Sequence, residues 1–131
     1  MIFVDTAAFV ALVDTRDEYH GRASTSWNDL IKGDEVLVSH NYALVESISL
    51  VQRRVGIEAV QILQTRIVPF LRVEWCTQEQ HDSAVNLVLA ANRRSLSLVD
   101  CAIFETMRRL KIETVFTFDE HFREQGFTVI P

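Results

Sequence analysis

The sequence predicts an α/β fold, a single domain with a central parallel β-sheet and helices on both faces. Three observations predict it. The runs at residues 2–4 and 36–38 are apolar without interruption, as strands buried on both faces are. Between the strand-like runs lie segments whose apolar residues recur every three or four positions, the pattern of amphipathic helices. Four glycines and two prolines in 131 residues are too few for a turn-rich all-β fold, for disorder or for long linkers.

The elements follow in order. Residues 2–4 form a strand, and residues 6–13 a helix with Asp5 or Thr6 as its cap. Residues 14–19 are polar and read as a loop. His20, Ala23, Trp27, Leu30 and Ile31 keep helical spacing until Gly33 stops the helix. Residues 36–38 are the second strand. Leu44, Ile48, Val51 and Val55 make one helical stripe ending near Gly56. Val60, Leu63 and Ile67 mark another helix, broken before Pro69. Leu71, Val73 and Trp75 alternate, as in a strand. Ala84, Leu87, Val88 and Ala91 form a further helical stripe. Asp100 begins the next helix, with Ile103, Met107 and Leu110 inward. Residues 114–118 are strongly β-prone, and residues 128–130 are a last short strand. There is no internal repeat or low-complexity tract.

A chain of 131 residues can bury about two-thirds of its unfolded surface, enough for one core. No apolar run approaches the length of a membrane span. Residues 1–13 lack preceding basic residues and a small-residue cleavage site, and Asp5 interrupts them, so they read as strand and helix rather than a signal peptide. Cys76 and Cys101 lack metal-ligand spacing and suit structural thiols in a reducing cytoplasm, the expected location. The net charge of −5 argues against a protein that coats nucleic acid by charge, although the local distribution matters more than the sum.

Four acids carry the chemistry: Asp5, Glu46, Asp100 and Asp119. Asp5 and Asp119 close apolar, strand-like runs, and Asp100 opens a helix after Leu96-Ser97-Leu98-Val99. Parallel sheets bind ligands at the carboxyl ends of their strands, so these acids can share one rim. Tyr42, Glu46, Ser49 and Arg53 fall on a helix face separate from the apolar stripe, which lets Glu46 lean over that rim with Arg53 two turns further on. Converging carboxylates repel one another, and a divalent cation compensates them. Oxygen ligands without His or Cys suit Mg²⁺ or Mn²⁺ and the hydrolysis of phosphodiesters. Each acid also has a plain structural use: Asp5 and Asp100 as helix caps, Asp119 in a turn with Glu120, and Glu46 as a solvated helix residue.

Ile2-Phe3-Val4-Asp5-Thr6, Val45-Glu46-Ser47, Leu98-Val99-Asp100-Cys101 and Phe116-Thr117-Phe118-Asp119-Glu120-His121-Phe122, taken in order and spacing, resemble the PIN-domain nucleases. Within that family they resemble the VapC-type toxins of toxin–antitoxin pairs. The resemblance runs across essentially the whole chain and implies a metal-dependent endoribonuclease that leaves a 5′-phosphate. It implies Mg²⁺ or Mn²⁺ held by Asp5, Glu46, Asp100 and Asp119, with the Thr6 and Thr117 hydroxyls assisting through water or phosphate. It further implies a homodimer and a small antitoxin protein that occupies the active-site groove. Glu120 follows Asp119 directly, and either can coordinate.

Other signals are weaker. Arg53-Arg54, Arg93-Arg94 and Arg108-Arg109-Lys111 suit phosphate contacts or solvated helix faces, with Arg53 the best placed. His121 lies close enough to Asp119 to touch a phosphate, whereas His20 and His81 suit packing or surface roles. The aromatic residues do not interleave with basic ones, so no base-stacking platform is expected. Two rival readings remain. One is a catalytically silent PIN-fold interaction module, for which the loss of an acid would be the sign. The other is a phosphatase or nucleotide-binding domain, which would need a glycine-rich phosphate loop; Gly21, Gly33, Gly56 and Gly126 are isolated.

Overall fold

A computed structural model describes residues 1–131. Five parallel strands form one sheet in the order β3-β2-β1-β4-β5. They are β1 (Ile2–Val4), β2 (Leu37–His40), β3 (Leu71–Glu74), β4 (Thr114–Phe116) and β5 (Thr128–Ile130). The helices are α1 (Thr6–Val13), α2 (His20–Lys32), α3 (Asn41–Arg54), α4 (Ile57–Ile62), α5 (Gln78–Ala91), α6 (Leu98–Arg109) and the short α7 (His121–Glu124). β1 is central, with Ile2 opposite Leu37 on β2 and opposite Thr114 on β4. Adjacent residues on a strand point to opposite faces, and Phe3 and Val4 are both fully buried, so both faces of the sheet are covered. Phe9, Ile103, Met107 and Phe116 complete the largest part of this core.

Several element limits differ from the sequence reading, each for a local reason. β2 starts one residue late, with Val36 exposed, and continues over two polar residues. Ser39 and His40 are buried because their polar atoms are used: Ser39 Oγ donates to the Val4 carbonyl at 2.8 Å, and His40 Nδ1 accepts from the Tyr42 N–H at 3.1 Å. β4 stops at Phe116, and the hydroxyl of the next residue, Thr117, bonds Asp5 and the Asp119 N–H. β3 ends before Trp75, which is 72% exposed. The helix does break before Pro69, but α4 itself ends at Ile62. The chain then widens into a π turn over Leu63–Ile67, and Pro69 sits in a 3₁₀ turn, Val68–Phe70, whose first positions need no N–H donor. The buried residues of α3 are Ala43, Ser47 and Val51, and Val55 is exposed. α6 is capped by Ser97, not by Asp100, which stands three residues into the helix motif.

All five strands leave the sheet at one rim, and the chain order reverses there between β1 and β4. That crevice is where a doubly covered parallel sheet can admit a ligand.

His40 gives a test of this packing. Burial, and after it the Arg109 guanidinium, hold its imidazole down at about 4. The unfolded chain takes up that proton near the ordinary 6.5 and the folded chain does not. The stabilising contribution is therefore complete above 6.5 and is lost as pH falls towards 4. His40→Asn keeps an acceptor for the Tyr42 N–H. In urea melts it is expected to cost less stability at about pH 4.5 than at about pH 7.5.

Candidate metal centre

Asp5 occupies the first position beyond β1 and is 4% exposed. Its backbone sits at the cap position of α1, but its side chain makes no cap bond. The carboxylate faces β4 instead, and Oδ2 accepts from the Thr117 hydroxyl at 2.8 Å. Burial pushes its pKa up to about 7, the Thr117 bond opposes this, and Asp100 and Asp119 raise it further through their charge.

Asp100 comes from α6. Ser97 Oγ accepts from the Asp100 N–H at 3.0 Å, and Asp100 Oδ2 accepts in return from the Ser97 N–H at 3.1 Å, a reciprocal capping box. Burial raises the Asp100 pKa, the Ser97 N–H lowers it, and Asp119 raises it again. Asp119 lies three residues beyond β4, in a turn. Its N–H donates to Thr117 Oγ1 at 3.1 Å, and its Oδ1 accepts from the His121 N–H at 2.9 Å.

Glu46 is half-buried on α3. Its pKa is raised by burial and, after the opposing Thr6 hydroxyl, by Asp100 and Asp119. Two carboxylates that feel the same pair of charges share one space. Asp5, Thr6, Glu46, Asp100 and Asp119 indeed line a single cleft of about 320 Å³ at the strand rim. Thr6 is buried there, with its hydroxyl donating to the Ala43 carbonyl at 3.4 Å.

Arg53 does not reach this cleft. It is exposed, and Arg54 lines the cleft in its place, together with Leu50. A helix turns about 100° per residue, so a cleft face centred on Leu50 admits Glu46 and Arg54 and turns Arg53 aside. The sequence reading centred the face on Glu46. The remaining basic clusters are held elsewhere: Arg93 pairs with Glu124 at 3.4 Å, and Arg108 donates to Gln125 at 2.8 Å while lying over Phe104 and Phe127. Glu120 is exposed and pairs with Arg123 at 2.8 Å.

His121 joins the acids. Its Nδ1 is buried without a hydrogen bond, 3.4 Å from Asp119 Oδ1 and 3.7 Å from Asp100 Oδ2. Asp100, Asp119 and His121 each offer a ligand atom, all within 4.8 Å of one another. The donor set fits a divalent cation. Each aspartate holds one oxygen in an internal hydrogen bond, which orients the carboxylate, and the orphaned imidazole nitrogen lies beside Asp100 and Asp119. Tyr19 and Phe118 also line the cleft and went unnoticed in the sequence.

The sequence matches the PIN domain over residues 2–127. The chain belongs to the PIN domain family. The 23S rRNA-specific endonuclease VapC20 of Mycobacterium tuberculosis is 32% identical over 131 residues, spanning 99% of this chain and 98% of that protein. The crystal structure of M. tuberculosis VapC20, described as a sarcin–ricin-loop-cleaving toxin, matches this PIN domain with a TM-score of 0.87 at 30% identity. That match covers 98% of this chain and 97% of the other. FitAcB from Neisseria gonorrhoeae shares the fold, with a TM-score of 0.68 at 15% identity, covering 100% of this chain and 97% of its own.

The buried Asp5 makes a stability prediction. The folded chain holds its proton from the ordinary 3.8 up to about 7, so the group favours folding at low pH and that advantage is lost as pH rises through about 7. Asp5→Asn keeps an acceptor for Thr117 and removes the buried charge. In metal-free thermal melts at about pH 8 it is expected to gain on the order of 2 kcal/mol, roughly 5–10 °C in Tm, with no gain near pH 4. A variant no more stable than its parent at the higher pH would show that the carboxylate is not desolvated.

Proposed function

We propose that residues 1–131 act as one endoribonuclease domain dependent on Mg²⁺ or Mn²⁺, the toxin of a type II toxin–antitoxin pair. The observation that carries this is the convergence of Asp5, Glu46, Asp100 and Asp119 at one rim, with His121 beside them and with raised pKa values on three of the acids. The extent of identity to VapC20, named a 23S rRNA-specific endonuclease, supports RNA as substrate and structured rRNA as the first target to test.

In this reading Asp5, Asp100, Asp119 and Glu46 hold the cation. A bound divalent cation supplies charge neutralisation at the phosphate and a water activated near neutral pH. Arg54 lies on the same wall and can pair with a phosphate oxygen. Thr117 acts on Asp5: its hydroxyl fixes which carboxylate oxygen remains for a ligand. No helix is long and apolar enough to cross a membrane, in keeping with the cytoplasmic site we propose. Exposed apolar residues, among them Val45, Ile57, Trp75 and Leu89, provide surface for a homodimer and for the antitoxin.

Purified protein, freed of any partner, is expected to cleave an rRNA stem-loop with Mg²⁺ or Mn²⁺, to stop with EDTA and to resume on adding metal. Asp5→Ala and Asp100→Ala should each lose roughly 100-fold or more in rate. Full metal-dependent cleavage by both variants would refute this assignment, and no cleavage by the parent would leave the silent interaction module. Thr117→Val removes the hydroxyl that donates to Asp5 and accepts from the Asp119 N–H. It should lower metal affinity by roughly 10- to 100-fold, read by calorimetric titration with Mn²⁺.

A further inference from the structure

The cleft has a second kind of wall. Tyr19, from the loop before α2, and Phe118, from the turn after β4, stack face to face with ring centroids 4.5 Å apart and planes within 6° of parallel. Both rings line the cleft that holds the carboxylates, and both are only partly buried. The Arg22 guanidinium lies 5.8 Å from the Phe118 centroid.

The pair is held in place by the site itself. Phe118 stands between Thr117, which bonds Asp5, and Asp119. Tyr19 is fixed by its N–H, which donates to Asp17 Oδ1 at 2.8 Å, and Asp17 is another cleft residue. The Tyr19 hydroxyl makes no hydrogen bond within the chain. An aromatic surface with an open polar edge, beside a phosphate-directed cleft, is what a nucleobase stacks on.

We infer that Tyr19, backed by Phe118, is a base-stacking subsite for one unpaired nucleotide adjoining the scissile phosphate. The inference rests on the nuclease reading above and adds a contact residue to it. A base inside a helical duplex has both faces covered and cannot reach the platform, so Tyr19 engages a nucleotide that is unpaired. Stacking tolerates all four bases, so Tyr19 sets the structural context of cleavage and leaves base identity to other contacts.

The test separates stacking from folding and from catalysis. Binding is measured by fluorescence anisotropy, without metal and in an Asp5→Asn background, using single-stranded RNA of about eight nucleotides, its abasic counterpart and an RNA duplex. Tyr19→Leu, confirmed folded by its thermal melt, is expected to raise Kd for the single strand by roughly 5- to 100-fold, and Tyr19→Phe to restore binding to within about two-fold. Removing the base should weaken binding to the Tyr19 protein and make no difference to Tyr19→Leu. In cleavage-competent protein, Tyr19→Leu should raise KM with kcat nearly unchanged. An unaltered Kd in Tyr19→Leu, an abasic penalty that persists in that variant, or equal binding of the duplex would overturn the subsite. Absence of metal-dependent cleavage by the parent would end the nuclease reading instead and leave the binding comparison readable.

Discussion

The architecture of the rim depends on one residue, Asp5, and above all on its hydrogen bond to Thr117, 112 positions away. The Asp5 N–H donates to the Phe116 carbonyl, and its own carbonyl accepts from the N–H groups of Ala8 and Phe9. One residue thus joins β1, the first turn of α1 and the end of β4. Because the sheet is parallel, β1 and β4 release the chain on the same side. The loops carrying Thr117, Phe118 and Asp119 are brought to the mouth of α1 by pairing rather than by local sequence. A carboxylate buried at that junction disfavours its own charge. The carboxylate therefore keeps its proton unless positive charge compensates it.

The structural and ligand uses of the acids turn out to be compatible. A carboxylate has two oxygens and several lone pairs. Asp100 spends one oxygen on the capping box, Asp119 spends one on the His121 N–H, and Asp5 spends one on Thr117. A cap or turn bond restrains rotation of the side chain and so aims the other oxygen. The ordinary explanations for these residues are part of how a site would be built, because a ligand fixed by a neighbour loses less entropy when it binds.

Much of the fold was legible in the sequence, because its signals are local. The apolar run of β1, the limits of α1 and the stop of α2 at Gly33 follow from side-chain period and backbone preference. That the four acids gather at one rim was legible because each adjoins an element end or leaves a stripe. What was hidden depends on distances that period does not encode. The choice between Arg53 and Arg54 turns on a rotation of about 40° in how α3 sits on the sheet. His121 joins Asp100 only after α6 and the β4 turn have packed. Tyr19 and Phe118 are 99 positions apart, so no spacing rule places one ring on the other. The apolar run of the second strand ends at Val38, and only the partners waiting for Ser39 and His40 show why β2 runs on through them.

Charge sets the remaining constraint on how such a cleft could take a polyanion. Asp5, Asp17, Glu46, Asp100 and Asp119 line it against the single guanidinium of Arg54, in a chain whose net charge is −5. Attraction between basic side chains and phosphates, which supplies most of the affinity of many nucleic-acid-binding proteins, is weak here. Two sources of affinity are left in this reading. One is neutralisation of the carboxylates by a divalent cation, which couples metal loading to substrate binding. The other is contact that carries no charge, and the partly buried aromatic pair is the part of the cleft able to provide it. Stacking depends far less on ionic strength than phosphate contacts do. A cleft built this way would distinguish its substrate by the shape of an unpaired segment while holding other RNA at a distance through its own negative field.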